Sequence, residues 1–172
     1  MEVISGEERD RYFSDFRQEA LHLEMRDAYG TQTELPHLAK WLAGEPDDKV
    51  WLQPWLDTLR AGIRAGKVFR RLRIVSEPVS DYIRWEHRDT HLLVDAGEDI
   101  RWLPRRLVSA LTFPGNDFWL FDEETVVFTV FAASGLVIER QRTTDPAVVQ
   151  RCKASFEAAW PLSVPHHEYT PA

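Results

Sequence analysis

The stretch VFRRLRIVSEPVSDYIRWEH, residues 68–87, decides how this chain folds. Its first eight residues alternate, with Val68, Arg70, Leu72 and Ile74 on one side and Phe69, Arg71, Arg73 and Val75 on the other. A period of two marks a strand. At Ser76-Glu77-Pro78 the alternation stops, and Val79, Tyr82, Ile83 and Glu86 fall into one stripe at helical spacing. Pro78 suits the first turn of a helix, where its missing N–H has no intrahelical partner. A helix is therefore predicted from about Pro78 to His91. Glu77 and Asp81 would lie near the positive end of its dipole, with Arg84 one turn on. The segment reads as a polar joint between a strand and a helix.

Outward from this stretch, Phe13, Phe16, Ala20 and Leu23 recur at spacings of three and four, predicting one helix from Glu7 to Tyr29. Two further helices are expected within 33–46 and 47–67. Beyond the predicted 78–91 helix, EDIRWLP (98–104) is a short strand candidate. DFWLFD, TVVFTVFA and GLVIERQR then read as three consecutive antiparallel strands, with turns at Asp122–Glu124 and Ser134-Gly135. Asp145-Pro146 is a cap followed by proline at the first helical position, so a last helix starts there. The expected architecture is α+β: a mostly antiparallel sheet of four to five strands, covered by N-terminal helices and one C-terminal helix. One domain is expected over residues 1–172, ordered from about 7 to 161, with 162–172 as a tail.

The totals fit this picture. A chain of 172 residues with 44% hydrophobic and 28% charged residues is globular in composition and long enough to bury a core. Lys plus Arg number 21 against 28 Asp plus Glu, a formal net charge of -7. That balance argues against direct duplex binding, which draws its affinity from cations replacing condensed counterions. The single cysteine, Cys152, allows no intrachain disulfide and no Cys-based zinc set, and it falls on the apolar side of the last helix. His87 and His91 share a helix face but lack a third ligand. Ser134-Gly135 is a hairpin turn rather than a nucleophile elbow. No catalytic residue, cofactor or metal site is expected. No apolar run approaches the ~20 residues that span a bilayer. The opening MEVISGEERDRYF has neither a basic start nor an apolar core, so the expected location is cytoplasmic.

Four segments together carry a resemblance: LHLEMRDAY (21–29), RIVSEPVSDYIRWE (73–86), AGEDIRWLPR (96–105) and DFWLFDEETVVFTVF (117–131). From about Phe13 to Trp160 the chain resembles an uncharacterised actinobacterial family of small cytoplasmic proteins, classed only as a domain of unknown function. Its genes stand beside those for XRE-type helix-turn-helix regulators, which implies a regulatory, toxin–antitoxin-like module. The family's motif positions fall on Glu24, Arg26, Asp27 and Tyr29; on Ser76, Glu77, Pro78, Asp81 and Tyr82; on Glu98, Asp99 and Arg101; and on Asp117, Trp119 and Asp122. No catalytic role comes with them.

With Arg84, these residues offer the carboxylates, guanidinium forks and phenols of a polar network. Arg26 and Arg101 are expected to pair with Glu77, Asp81 or Glu98. The leading expectation is a non-enzymatic regulatory binding protein that partners a helix-turn-helix regulator, itself making no direct nucleic-acid contact. The alternatives are a metal-dependent nuclease or hydrolase using Glu77, Asp81, Glu98 and Asp99, and a small-ligand sensor lined by Trp85, Trp102 and Trp119.

Overall fold

In the computed structural model, which describes all 172 residues, strand β1 (Glu2–Ile4) leads into helix α1 (Gly6–Asp15). Ser5 and Glu8 form a capping box there: the Ser5 hydroxyl accepts from the Glu8 N–H at 3.1 Å, and the Glu8 carboxylate accepts from the Ser5 N–H at 2.7 Å. The expected helix to Tyr29 does not form. α1 stops at Asp15, and Glu19–Glu24 is strand β2. The cause lies far away in the chain. The Asp122 carboxylate accepts from the backbone N–H groups of Arg17, Gln18 and Glu19 at 2.8, 2.8 and 3.2 Å, which holds a turn where local periodicity reads helix. Past that turn, Ala20, His22 and Glu24 face one way, and Leu21 and Leu23 the other.

Helices α2 (Leu35–Leu42) and α3 (Gln53–Arg64) follow, then strand β3 (Val68–Val75), the alternating stretch. Helix α4 (Asp81–Asp95) begins three residues later than Pro78, because the Ser80 hydroxyl caps it, accepting from the Ile83 N–H at 3.2 Å. Strands β4 (Asp99–Pro104), β5 (Asp117–Phe121), β6 (Thr125–Phe131) and β7 (Val137–Thr143) precede helix α5 (Pro146–Ala159) and a two-residue strand, β8 (Val164–Pro165). The Asp145 side chain accepts from the Ala147 and Val148 N–H groups at the start of α5.

All eight strands form one mixed sheet in the order β1-β7-β6-β5-β2-β3-β4-β8. This corrects the expected four to five mostly antiparallel strands. β2, β3 and β4 run parallel, and the other pairings are antiparallel. Parallel neighbours need crossover connections, and α2–α3 and α4 supply them. Both faces are covered as a result. On one face Phe13, Phe16, Leu59, Phe69 and Phe121 pack beneath α1, α3 and α4. On the other, Val149, Cys152, Phe156 and Ala159 of α5 pack on Leu21, Leu23, Leu72 and Phe118. Burying each large side chain contributes roughly 1.5–3 kcal/mol. No helix is long and apolar enough to cross a membrane.

The C-terminal residues read as a tail are instead built into the fold. β8 pairs with β4, and the Val79 N–H donates to the Ala172 carbonyl at 2.8 Å. Tyr169 is buried, stacks on Trp102 at 5.5 Å and donates its hydroxyl to Glu77 at 3.0 Å. Truncating Tyr169 to Ala should therefore cost about 3 kcal/mol in urea unfolding, the loss of a buried aromatic ring. A change below ~0.5 kcal/mol would mean that this segment does not pack.

Candidate functional site

A cleft of about 1120 Å³ opens over the sheet face that carries Ala20, His22 and Glu24. Its floor follows from strand alternation. Register pairs Trp119 with His22 and His22 with Arg71, giving one row across β5, β2 and β3. In the next row Arg140 pairs with Thr129, Thr129 with Asp117, and Glu24 with Arg73. These polar side chains share a face because each lies an even number of residues from the next along its own strand.

The floor is an ion cluster centred on Glu24. Arg71 donates from Nη1 to Glu24 at 2.7 Å and from Nε to Glu98 at 2.7 Å. Arg73 Nε lies 2.8 Å from the other Glu24 oxygen, in an ion pair whose N–H is not aligned for a hydrogen bond, and its Nη1 donates to Glu86. Burial opposes ionisation of Glu24, but Arg73 and Arg71 outweigh it and hold the carboxyl down to about 2. Burial opposes the charge on both arginines as well. Glu98 and Glu24 for Arg71, and Glu24 and Glu86 for Arg73, more than restore it. The His22 ring stacks on Trp119 at 4.0 Å, and burial depresses its pKa far enough to keep it neutral. Arg73 also lies over Trp102, and Arg71 over Trp119.

One wall carries two carboxyl groups tied to phenols. Glu34 accepts from Thr31 Oγ1 at 2.5 Å and from the Tyr82 hydroxyl at 3.1 Å. Asp117 accepts from the Tyr29 hydroxyl and from the Met25 N–H at 3.0 Å. Burial, with Glu86 adding to it, pushes Glu34 up to about 7. Burial, with Glu24 adding to it, pushes Asp117 up to about 6 against its two hydrogen bonds. The segment bearing Tyr29 and Thr31 is held by a close backbone approach: the Gly30 N–H donates to the Gly135 carbonyl at 3.0 Å. A Cβ on Gly30 would stand 2.3 Å from the Ser134 carbonyl, so only glycine fits. Trp51, Trp55, Trp85 and Phe131 complete the aromatic lining.

Of the residues singled out by sequence, Glu24, Tyr29, Tyr82, Asp117 and Trp119 meet in this cleft, and Glu98 reaches it through Arg71. The others lie elsewhere. Arg26 does not pair with Glu77, Asp81 or Glu98; it lies over Phe131 and donates to the Ala28 carbonyl. Arg101 contacts Asp99 and lies over Trp160. Glu77 is engaged by Tyr169 and Arg106, and Asp27 accepts from the Ser76 N–H and hydroxyl, each at 2.7 Å. Asp81, Arg84 and Asp99 are exposed, and Asp122 holds the turn before β2. Sequence reasoning missed His22, Glu34, Arg71, Arg73 and Glu86. The alternation of Ala20-His22-Glu24 was the available signal for the first, and the place of Glu86 in the Val79-Tyr82-Ile83 stripe was the signal for the last; Glu34 carries none. Trp85 and Trp119 line the cleft, whereas Trp102 only backs Arg73.

Two of the solved structures that share the fold are NucT and TrmBL2. NucT from Helicobacter pylori matches with a TM-score of 0.55 at 10% identity, over 95% of this chain and 96% of that one. TrmBL2, an archaeal chromatin protein with a novel mode of DNA binding, matches with a TM-score of 0.52 at 15% identity over 95% of this chain. The present chain spans 53% of the TrmBL2 chain. At such identities the likeness is one of fold alone. No curated protein matches this chain in sequence. Residues 7–171, nearly the whole chain, match the model of the family described as domain of unknown function DUF6879, and the chain belongs to that family.

Proposed function

We propose that this chain is a non-enzymatic regulatory binding protein that partners a helix-turn-helix transcription regulator. The observation that carries the reading is the closed ion cluster around Glu24 on the cleft floor, beside which Arg140 stands without an ion pair. Arg71 and Arg73 are spanned by Glu24, Glu86 and Glu98, so each of these buried charges meets an opposite charge, with one carboxylate in excess, rather than facing an open position. Catalysis by acid, base or metal needs groups converging on a vacant point. Glu77, Asp81, Glu98 and Asp99, the carboxylates of a nuclease reading, do not converge. Asp81 and Asp99 are exposed, Glu77 is held by Tyr169 and Arg106, and Glu98 is bound to Arg71. The net charge of -7 suits docking on a basic DNA-binding partner.

Trp85 and Trp119 on the cleft walls favour a second, compatible reading, in which a small ligand in the cleft biases the regulator. The likeness to TrmBL2 raises direct DNA contact as a competitor, and one experiment separates the two. Co-expressed with an XRE-type helix-turn-helix regulator of the kind the resemblance implies, the chain should copurify and change that regulator's operator affinity at least ~5-fold, the lower end of ordinary coupling. Elution of the chain alone, or unaided binding to the operator duplex, contradicts the proposal.

A further inference from the structure

We propose that the cleft binds a planar nitrogen heterocycle bearing an exocyclic amine, the chemistry of a nucleobase or nucleoside. Its amine edge would face the Glu34–Asp117 wall, and its ring nitrogens or carbonyls would face the buried tryptophan N–H groups. This deepens the small-ligand reading above and rests on it. Three independent features define the ligand.

The first is the wall. Glu34 sits on the Tyr82 phenol and Asp117 on the Tyr29 phenol, and those two rings stand 5.7 Å apart. Glu86 lies one turn along α4 from Tyr82. Arg73 is already shared between Glu24 and Glu86, and Arg26, over the Phe131 ring, does not offset the burial of Asp117. Acceptor oxygens are therefore in excess and positive charge is short, so the wall calls for a hydrogen-bond donor on the ligand. Glu34 titrates near 7 and Asp117 near 6, so either carboxyl can meet a ring nitrogen in its protonated form or an amine in its ionised form.

The second feature is a pair of donors without acceptors. The Trp85 side chain is 1% exposed, and its Nε1–H makes no hydrogen bond; nor does that of Trp55. Buried donors of this kind are rare in folded chains, and a ligand acceptor would satisfy them. A simple amine or polyamine satisfies the wall and leaves both indoles unmet. A heterocycle with donor and acceptor edges satisfies both.

The third feature is flatness. His22 stacks on Trp119, and Trp55 meets Trp119 at 5.8 Å, so π faces border the floor. The space of about 1120 Å³ admits a nucleoside with room for water. Arg71, Arg73 and Arg9 are each taken by a carboxylate, which leaves Arg140 as the one lining cation without an ion pair, too little for a triphosphate chain.

The test is calorimetric titration of the full chain with adenosine, guanosine, cytidine, uridine, ATP, GTP, spermidine and inorganic phosphate. At least one of the three amino-bearing nucleosides should bind, with uridine and the triphosphates at least ~10-fold weaker. That nucleoside's affinity should fall at least ~10-fold in Asp117→Asn and ~5-fold in Trp85→Phe, which keeps an aromatic ring and removes only the N–H donor. Circular dichroism identifies any variant that fails to fold, and the other variant then carries the comparison. Binding of spermidine or phosphate alone overturns the heterocycle while leaving the cleft a binding site. Tighter binding of a triphosphate, or of no nucleoside at all, also overturns it. The titration contains no regulator, so the copurification result above stands or falls separately.

Discussion

Replacing Glu24 with Ala should destabilise the chain by about 3 kcal/mol, the low end of what breaking a buried ion pair costs. Glu24 is the carboxylate that joins the two floor arginines: Arg71 reaches one of its oxygens and Arg73 the other. Its side chain is only 13% exposed, and those of Arg71 and Arg73 are 10% and 6% exposed. Without Glu24, Arg71 retains Glu98 and Arg73 retains Glu86, so each cation keeps one partner instead of two. That retained pairing places the cost at the low end. Glu24→Gln keeps the shape and one acceptor, and its cost should be roughly half. Asp99→Ala, at an exposed carboxylate, should stay within ~0.5 kcal/mol of the parent. Urea unfolding of the three variants checks the ranking.

The second large effect is a dependence on pH that belongs to Glu34. Its folded value of about 7 stands above the ordinary 4.5, so the folded chain holds this proton more tightly than the unfolded one. The stabilisation is fully present below pH 4.5 and is lost as pH rises through 7. Asp117 acts in the same sense between its ordinary 3.8 and about 6. His22, buried and neutral, opposes them by favouring unfolding as pH falls below 6.5. Glu24, held at about 2, loses its contribution progressively as pH falls from its ordinary 4.5 through 2.

Comparing the parent with Glu34→Gln isolates Glu34 together with Glu86, whose charge adds to the shift, and cancels the distant groups. The variant should match the parent near pH 4 and exceed its stability at pH 8, by up to about 3 kcal/mol from the size of the shift. Thermal unfolding across that range measures the gap. A constant difference at all pH values would mean that Glu34 titrates normally.

Much of the architecture is legible from local pattern. The alternation over 68–75 puts Arg71 and Arg73 on one strand face, and the sheet uses that face as the cleft floor. Asp145-Pro146 starts α5, and the strands β5, β6 and β7 follow one another antiparallel as their turn residues indicate.

What local pattern cannot supply is any feature decided across the chain. α1 gives way to β2 because Asp122, more than a hundred residues on, accepts from three backbone N–H groups in the turn. Phe13, Phe16, Ala20 and Leu23 satisfy a helical spacing by coincidence, since the first two lie in or beside a helix and the last two on opposite faces of a strand. With β2 hidden, the parallel core of the sheet is hidden too, and Glu24 has no visible route to Arg71 or Arg73. The expected pairings of Arg26 and Arg101 fail for the same reason. Arg26 follows the end of β2, and Arg101 faces Trp160 beside α5. Glu34 meets Tyr82 across 48 residues of chain, a contact that no periodicity encodes. The C-terminal residues read as a tail because Val164, Pro165 and Tyr169 show no regular spacing. They are ordered by the edge of β4 and the face of Trp102.

The ion-paired floor is tested most directly by a double-mutant cycle on Glu24→Ala and Arg73→Ala, read by urea unfolding. Side chains that interact as a buried pair should show a coupling of about 2 kcal/mol, so the double variant loses less than the sum of the single ones. Additivity within ~0.5 kcal/mol would mean that these two charges do not hold each other, and the closed ion cluster beneath the cleft would have to be abandoned.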